Sequence, residues 1–165
     1  MARMGIVSWV AVLGAVSLGG CSAGLSGAAR ATLLHAEQME IFTVDPAPQI
    51  DGNPHPAPAS QLFHEHRILG RAEVTDAGER ARLGRIVDDS THRFEEGAAV
   101  PDCFSPRHGV RVRRGATQVD LLICYQCSNV HVYAPGGERD LATRDVQGKL
   151  DPIFAAHGLK PAPRL

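Results

Sequence analysis

Three of the four cysteines in this chain lie close enough in sequence to act together. Cys124 and Cys127 are three residues apart in the stretch CYQCSNVHV, and Cys103 lies upstream in CFSPRHG. Thiolates bind metal ions, exchange disulfides and act as nucleophiles. His108 in CFSPRHG and His131 in CYQCSNVHV could add imidazole ligands. A structural disulfide, a zinc site and a catalytic thiol pair are therefore all open.

The strands around the cysteines predict whether the side chains meet. The pattern indicates two consecutive hairpins, with turns at 115–116 and 126–129. The first register puts Cys124 opposite Arg107, and the second puts it opposite His131. Cross-strand neighbours lie about 5 Å apart. The residues predicted to converge are Cys103, His108, Cys124, Cys127 and His131.

A disulfide is the favoured interpretation of this cluster. In an uninterrupted strand Cys124 and Cys127 would point to opposite faces about 10 Å apart, which is too far for a bond. A turn or bulge at Gln126 is therefore required before they can pair. The predicted pairs are Cys103 with Cys124 or Cys103 with Cys127, and the remaining cysteine is expected to be buried.

Zinc is the alternative, and catalysis is disfavoured. Cys103, His108, Cys124 and Cys127 would supply the four ligands that zinc prefers, with His131 as a weaker candidate. No other cofactor is indicated. A catalytic Cys-x-x-Cys pair acts from a helix N-terminus, whereas here the motif is predicted to lie on a strand. No Ser-His-Asp or paired-carboxylate arrangement has usable spacing, so the chain is more consistent with a protein that is not an enzyme.

The N-terminus predicts export. Arg3 precedes an apolar stretch at 5–18 that is shorter than the ~20 residues of a membrane span. Leu18-Gly19-Gly20-Cys21 resembles the lipobox of bacterial lipoprotein signals. The resemblance implies a signal peptide at 1–20 and an acylated Cys21, which would hold the chain on a membrane. By analogy, Ser22 favours the outer membrane of the cell envelope.

The mature chain is long enough for one domain. Residues 21–36 are small and weakly patterned, as in a lipid-anchored tether, and 37–165 are predicted to form a single domain. The loss of Arg3 leaves 16 basic and 18 acidic residues, which gives no electrostatic case for nucleic acid. The stretch HEH at 64–66 is interpreted as exposed polar residues before a strand.

The predicted class is α+β, with an antiparallel sheet of about five strands and two helices packed on one face. Asp76 is the predicted N-cap of the first helix. The proline-rich stretch at 45–61 is predicted to be a surface loop. The predicted elements are strands at 37–45 and 66–74, a helix at 77–91, the two hairpins within 110–137, and a closing helix at 142–157.

Four stretches resemble a group of generally uncharacterised exported bacterial proteins. The longer two are CFSPRHGVR at 103–111 and DLLICYQC at 120–127, and the shorter are VDP at 44–46 and LG at 69–70. Tyr125 stands where Phe is more usual. The resemblance covers about 37–163 and implies one compact domain, but it carries no activity.

The sequence thus predicts a membrane-anchored lipoprotein that serves as a binding or envelope-structural module. The alternative is a metal-binding or thiol-dependent envelope enzyme that uses Cys103, His108, Cys124 and Cys127. The expected partner is the membrane, through the lipid, and the sequence names no protein or small-molecule ligand.

Overall fold

A single antiparallel sheet with helices on one face organises the chain. The computed structural model describes residues 24–48, 57–96 and 103–163. Across the sheet, the strands of the described residues are β2 (Leu62–Phe63), β3 (His66–Glu73), β1 (Gln38–Pro48), β5 (His108–Arg114), β6 (Thr117–Cys124), β7 (Asn129–Ala134), β8 (Gly137–Thr143) and β4 (Thr91–His92). Within the same ranges, the α-helices are α1 (Gly27–Leu34), α2 (Ala77–Ser90) and α3 (Gln147–Ala156).

The predicted α+β class is confirmed, although the expected five strands and two helices are too few. The three helices cover one face of the sheet, where they bury a large apolar core. The core residues include Leu33, Met39, Leu83, Val110, Leu121, Val130, Leu150 and Phe154. Strand alternation explains which residues form this core, because every second residue of β5, β6 and β7 points toward the helices. None of the helices described is long and apolar enough to cross a membrane.

The start of α2 matches its prediction, and a glycine sets its packing. The Asp76 carboxylate accepts a hydrogen bond from the Glu79 backbone N–H at 2.7 Å, which satisfies an otherwise unpaired donor. Gly84 lies against α1, and a Cβ there would come within 2.7 Å of the Leu33 carbonyl oxygen. A glycine that weakens the isolated helix therefore permits the two helices to pack closely.

Several elements differ from the sequence predictions. Residues 27–34, assigned to the tether, form α1, which places Ala29 and Leu33 in the core. The closing helix begins at Gln147 rather than 142, because Gly137–Thr143 pairs with β7 as strand β8. Strand β1 continues into the proline stretch as far as Pro48, through irregular pairing after Thr43. The rest of the predicted loop, at 49–56, and the predicted signal peptide with Cys21 lie outside the described residues.

The hairpin registers were predicted with mixed success. In the first hairpin His108 pairs with Ile123, which is the predicted register. In the second the register differs by two residues, so that Cys124 faces Asn129, while His131 faces Leu122. The predicted pairing of Cys124 with His131 is therefore wrong.

None of the α-helices in the described residues lies on the other side of the sheet, here called the open face. Its apolar patch is small and is built on Phe42, Val44, Phe63 and Leu122. Phe63 packs against Gly109, where a Cβ would come within 2.8 Å of the ring. One polar row crosses this face on successive strands, in the order Glu73, Glu40, Arg111, Asp120, Tyr133 and Glu138.

Candidate functional site

The turn between β6 and β7 joins two of the predicted cysteines. Cys124 and Cys127 form a disulfide, with their Cα atoms 5.3 Å apart. The turn that the sequence required is present, and Ser128 adopts a positive φ of 52° at its end. The Cys127 backbone N–H also donates to the Cys124 sulfur at 3.1 Å. The bridge thus lies within the Cys-x-x-Cys stretch rather than between Cys103 and either partner.

Cys103 lies beside this disulfide. Its thiol is exposed, and it hydrogen-bonds with Cys127. The three predicted thiols therefore converge, although the cysteine outside the disulfide is exposed rather than buried. When the bridge is reduced, burial raises the pKa of the Cys127 thiol, and hydrogen bonds from Cys103 and the Ser105 backbone only partly oppose that shift. The raised pKa keeps the reduced Cys127 thiol protonated at neutral pH.

His108 does not join the thiols. It points to the face covered by the helices, where its Nε2 lies 2.9 Å from Asp151 Oδ1 and its ring packs edge-on against Phe154. Burial lowers the pKa of His108, although the carboxylate of Asp151 acts to raise it. Cys124 points to the opposite face, because it follows Ile123, the cross-strand partner of His108. In the described part of the chain no group of three or more His, Cys, Asp or Glu side chains could hold a metal ion.

His131 lies on the open face, opposite Leu122 rather than Cys124. Its Nε2 is 3.1 Å from Asp140 Oδ1, and its ring stacks on Phe104 at a centroid distance of 3.6 Å. Since Phe104 follows Cys103 directly, this stack fixes the chain next to the thiol cluster. His131 is therefore part of an aromatic surface instead of a ligand set with the cysteines.

A buried carboxylate that was not among the sequence-predicted site residues lies at the centre of the open face. Asp120 accepts two hydrogen bonds from Arg111, at 2.9 and 2.7 Å, and one from Gln118 at 3.3 Å. His64 Nε2 lies 3.1 Å from the same carboxylate. Burial alone raises the pKa of Asp120, but the bonds from Arg111 and His64 outweigh it and hold the pKa below its usual value. The opposite charges of Arg111 and Asp120, which the predicted hairpin register places on facing positions, are the sequence signal for this ion pair.

His64 is held in an unfavourable backbone conformation. With Glu65 it forms the two-residue turn between β2 and β3, and its φ is +54°. Its ring stacks on Tyr133 at a centroid distance of 3.5 Å. A left-handed conformation normally favours glycine at such a turn, so the contacts to Asp120 and Tyr133 must hold the histidine there. The interpretation of HEH as exposed polar residues is wrong for His66, which is buried, and His64 is half-buried in this network.

Together these rings form a continuous patch, here called the ring surface, made of His64, Tyr133, Phe104 and His131. Tyr133 and His131 are alternate residues of β7, so their two stacked pairs lie side by side. Burial, with the carboxylates of Glu138 and Glu65, raises the pKa of Tyr133 to about 12. Burial lowers the pKa of His131, against the nearby carboxylates of Asp140, Glu138 and Glu65. The ring surface is therefore bordered by negative charge.

Unsatisfied polar atoms mark the end of the sheet that carries the cysteines. Among the described residues, the buried side-chain atoms without a hydrogen-bond partner are Arg107 Nη2, Tyr125 Oη and Asn129 Oδ1. Arg107 precedes β5, Tyr125 follows β6, and Asn129 begins β7 opposite Cys124. An unsatisfied buried group costs about 1–3 kcal/mol, so this end is the least well satisfied part of the described fold.

Comparisons with known proteins identify no relative for this arrangement. No protein-family model, no curated protein and no solved structure matches the chain. The site must therefore be interpreted from its own geometry.

Proposed function

We propose that this protein is a lipid-anchored binding module of the cell envelope, held on the outer membrane by Cys21, with the ring surface as its binding site. The observation that carries the binding site is the network around Asp120. This network holds His64 at a positive φ with its ring stacked on Tyr133. Backbone conformations of this kind cluster at active sites and ligand-binding sites.

The charges around the ring surface favour a cationic ligand. The charged side chains that act on Tyr133 and His131 are acidic: Glu65, Glu138, Asp140 and, for Tyr133, Asp120. Aromatic rings attract ammonium and guanidinium groups through their negative faces, at about 0.5–1 kcal/mol per exposed contact. The ligand class proposed is therefore a peptide segment that bears lysine or arginine.

The protonation of His131 makes this binding depend on pH. Its lowered pKa keeps the imidazole neutral at pH 7, where it leaves the acidic border unopposed. As the pH falls through that pKa, the ring gains a positive charge that faces Asp140 and Glu138 on β8, Glu65 on the neighbouring turn and the His66 ring. A cationic ligand is then repelled, so binding weakens in acid.

Titration calorimetry with a tetralysine peptide tests the binding site. The variant E65Q/E138Q/D140N is expected to weaken binding about tenfold or more, since each carboxylate contributes a partly screened attraction. Asp89→Asn is the matched control, because Asp89 is an exposed carboxylate on α2, across the sheet from the ring surface. Equal weakening in the control, or tetraglutamate binding as well as tetralysine, would contradict a specific cationic site.

Membrane fractionation tests the anchor separately. Replacing Cys21 by Ser removes the expected acylation site, so the domain should move from the membrane fraction to the soluble fraction. Density-gradient separation of inner and outer membranes then tests the location. Retention of the Cys21→Ser protein on membranes would contradict lipid anchoring, whatever the result with tetralysine.

A further inference from the structure

We propose that Cys103, Cys124 and Cys127 form a thiol–disulfide exchange site in which Cys103 can take the place of Cys124 as the partner of Cys127. This inference is independent of cation binding at the ring surface. It rests on an exposed thiol that lies against a disulfide formed within the same chain.

The surrounding contacts hold Cys103 in position. Phe104, the next residue, stacks on His131, and the Arg107 backbone N–H donates to the Ile123 carbonyl at 3.3 Å. These two contacts fix the stretch from Cys103 to Arg107 along the end of β6, where Cys124 is the last residue. Cys103 hydrogen-bonds with Cys127, so the Cys127 sulfur is the point of attack in the proposed exchange.

The exchange balances without any external oxidant or reductant. The Cys103 thiol first loses its proton to solvent, and the thiolate then attacks Cys127 Sγ. A Cys103–Cys127 bond forms while the Cys124–Cys127 bond breaks. Cys124 leaves as the thiolate and takes up a proton. The number of thiols and disulfides is unchanged.

The exchange changes which cysteine carries the free thiol. Before exchange the thiol belongs to exposed Cys103, whereas afterwards it belongs to Cys124, which is 1 % exposed while it is bonded to Cys127. The exchanged bond also joins two segments that are separate in sequence, the stretch from Cys103 to Arg107 and the turn between β6 and β7. The exchange would therefore shield the reactive thiol from oxidation and staple this end of the sheet.

Unsatisfied polar atoms near the cysteines favour a local rearrangement at this end of the sheet. The three buried polar atoms without a partner among the described residues, on Arg107, Tyr125 and Asn129, lie at this same end. Because unsatisfied groups destabilise the present arrangement, a local shift that pairs them costs less here than elsewhere in the fold.

Peptide mapping distinguishes the two bonds directly. Trypsin cleavage after Arg93, Arg107, Arg114 and Arg139 leaves Cys103 in the peptide 94–107 and both other cysteines in the peptide 115–139. The Cys124–Cys127 bond is a loop within one peptide, whereas the exchanged bond links two peptides. The full-length protein is held without reductant at pH 7 to 9, alkylated, acid-quenched, digested and analysed by mass spectrometry.

Two matched variants test the preference for Cys127. In a glutathione redox buffer, Cys124→Ser should form the Cys103–Cys127 bond with an effective concentration at least tenfold above that of the Cys103–Cys124 bond in Cys127→Ser. The wild-type protein should also yield the linked peptides, at a rate that rises with pH because the attacking species is the thiolate. A wild-type digest with only the internal loop at every pH, or equal behaviour of the two variants, would overturn the proposal.

Discussion

His64 Nε2 lies 3.1 Å from Asp120 Oδ2, and this contact ties a turn at one edge of the sheet to the centre of its open face. The two residues are 56 positions apart in sequence. His64 has a positive φ, while Asp120 is almost wholly buried and also bonded to Arg111. The contact thus joins His64, which has the positive φ, to the buried carboxylate of Asp120.

Replacement of Asp120 by Asn should destabilise the fold, because Asp120 is buried and paired with Arg111. The substitution leaves the Arg111 guanidinium without its charged partner, and breaking a buried ion pair typically costs about 3–5 kcal/mol. Arg111 is 27 % exposed at its side chain, so solvent reduces the expected loss to about 2–3 kcal/mol. Urea denaturation measures the change.

Asp140→Asn is the control for that measurement. Asp140 also pairs with a histidine, but its side chain is 53 % exposed. An exposed pair contributes about 0–1 kcal/mol, so the loss should stay below 1 kcal/mol. Similar losses in the two variants would show that burial does not determine the contribution of Asp120.

Substitutions at His64 should reverse the usual order of alanine and glycine. Both His64→Ala and His64→Gly lose the contacts to Asp120 and Tyr133, but only glycine adopts a positive φ without steric cost. The glycine variant should therefore be about 1 kcal/mol more stable than the alanine variant. Thermal unfolding of the pair measures this difference, and a more stable alanine variant would contradict strain at this turn.

Two helical glycines should respond to alanine with opposite signs. At Gly84 the new methyl group would come within 2.7 Å of the Leu33 carbonyl oxygen, so Gly84→Ala should destabilise the protein by about 1–3 kcal/mol. Gly148 on α3 is exposed, and nothing lies within 4 Å of the position that a Cβ would take there, so Gly148→Ala should stabilise by about 0.5–1 kcal/mol. Stabilisation by both substitutions would mean that α1 and α2 do not approach closely.

Stability should fall as the solution is acidified from pH 7 to pH 5. Burial lowers the pKa of His108 in the folded state below its unfolded value of about 6.5, so the unfolded chain binds more protons in that window. His66 and His131 shift in the same direction, also chiefly through burial. The free energy of unfolding therefore decreases as the pH falls from about 6.5 to the pKa values of these histidines in the folded state.

His108→Gln tests the assignment of this pH dependence. The variant should show a smaller loss of stability between pH 7 and pH 5, whatever its stability at pH 7. His35→Gln is the control, because His35 is exposed at the end of α1. An unchanged pH slope in His108→Gln would assign the proton uptake to other groups.

The sequence by itself determined the elements whose signals are local. Asp76 and the apolar residues after it predicted α2, since an N-cap acts within one helical turn. Alternation and the glycine at 115 predicted the first hairpin and its register, because a short turn fixes which residues face each other. The need for a turn at Gln126 followed from strand geometry alone.

Only the tertiary structure decided the features that join distant segments. The small residues of α1 carry little helical signal, and the helix is stabilised by packing on the sheet and on α2. The polar strand β8 is defined by its pairing with β7. Cys124 and His108 point to opposite faces of the sheet, so the thiols and the imidazole do not meet. The Asp120 network forms through contacts between residues that are distant in sequence. These interactions depend on the packed fold because their energies arise from burial and from neighbours that are remote in sequence.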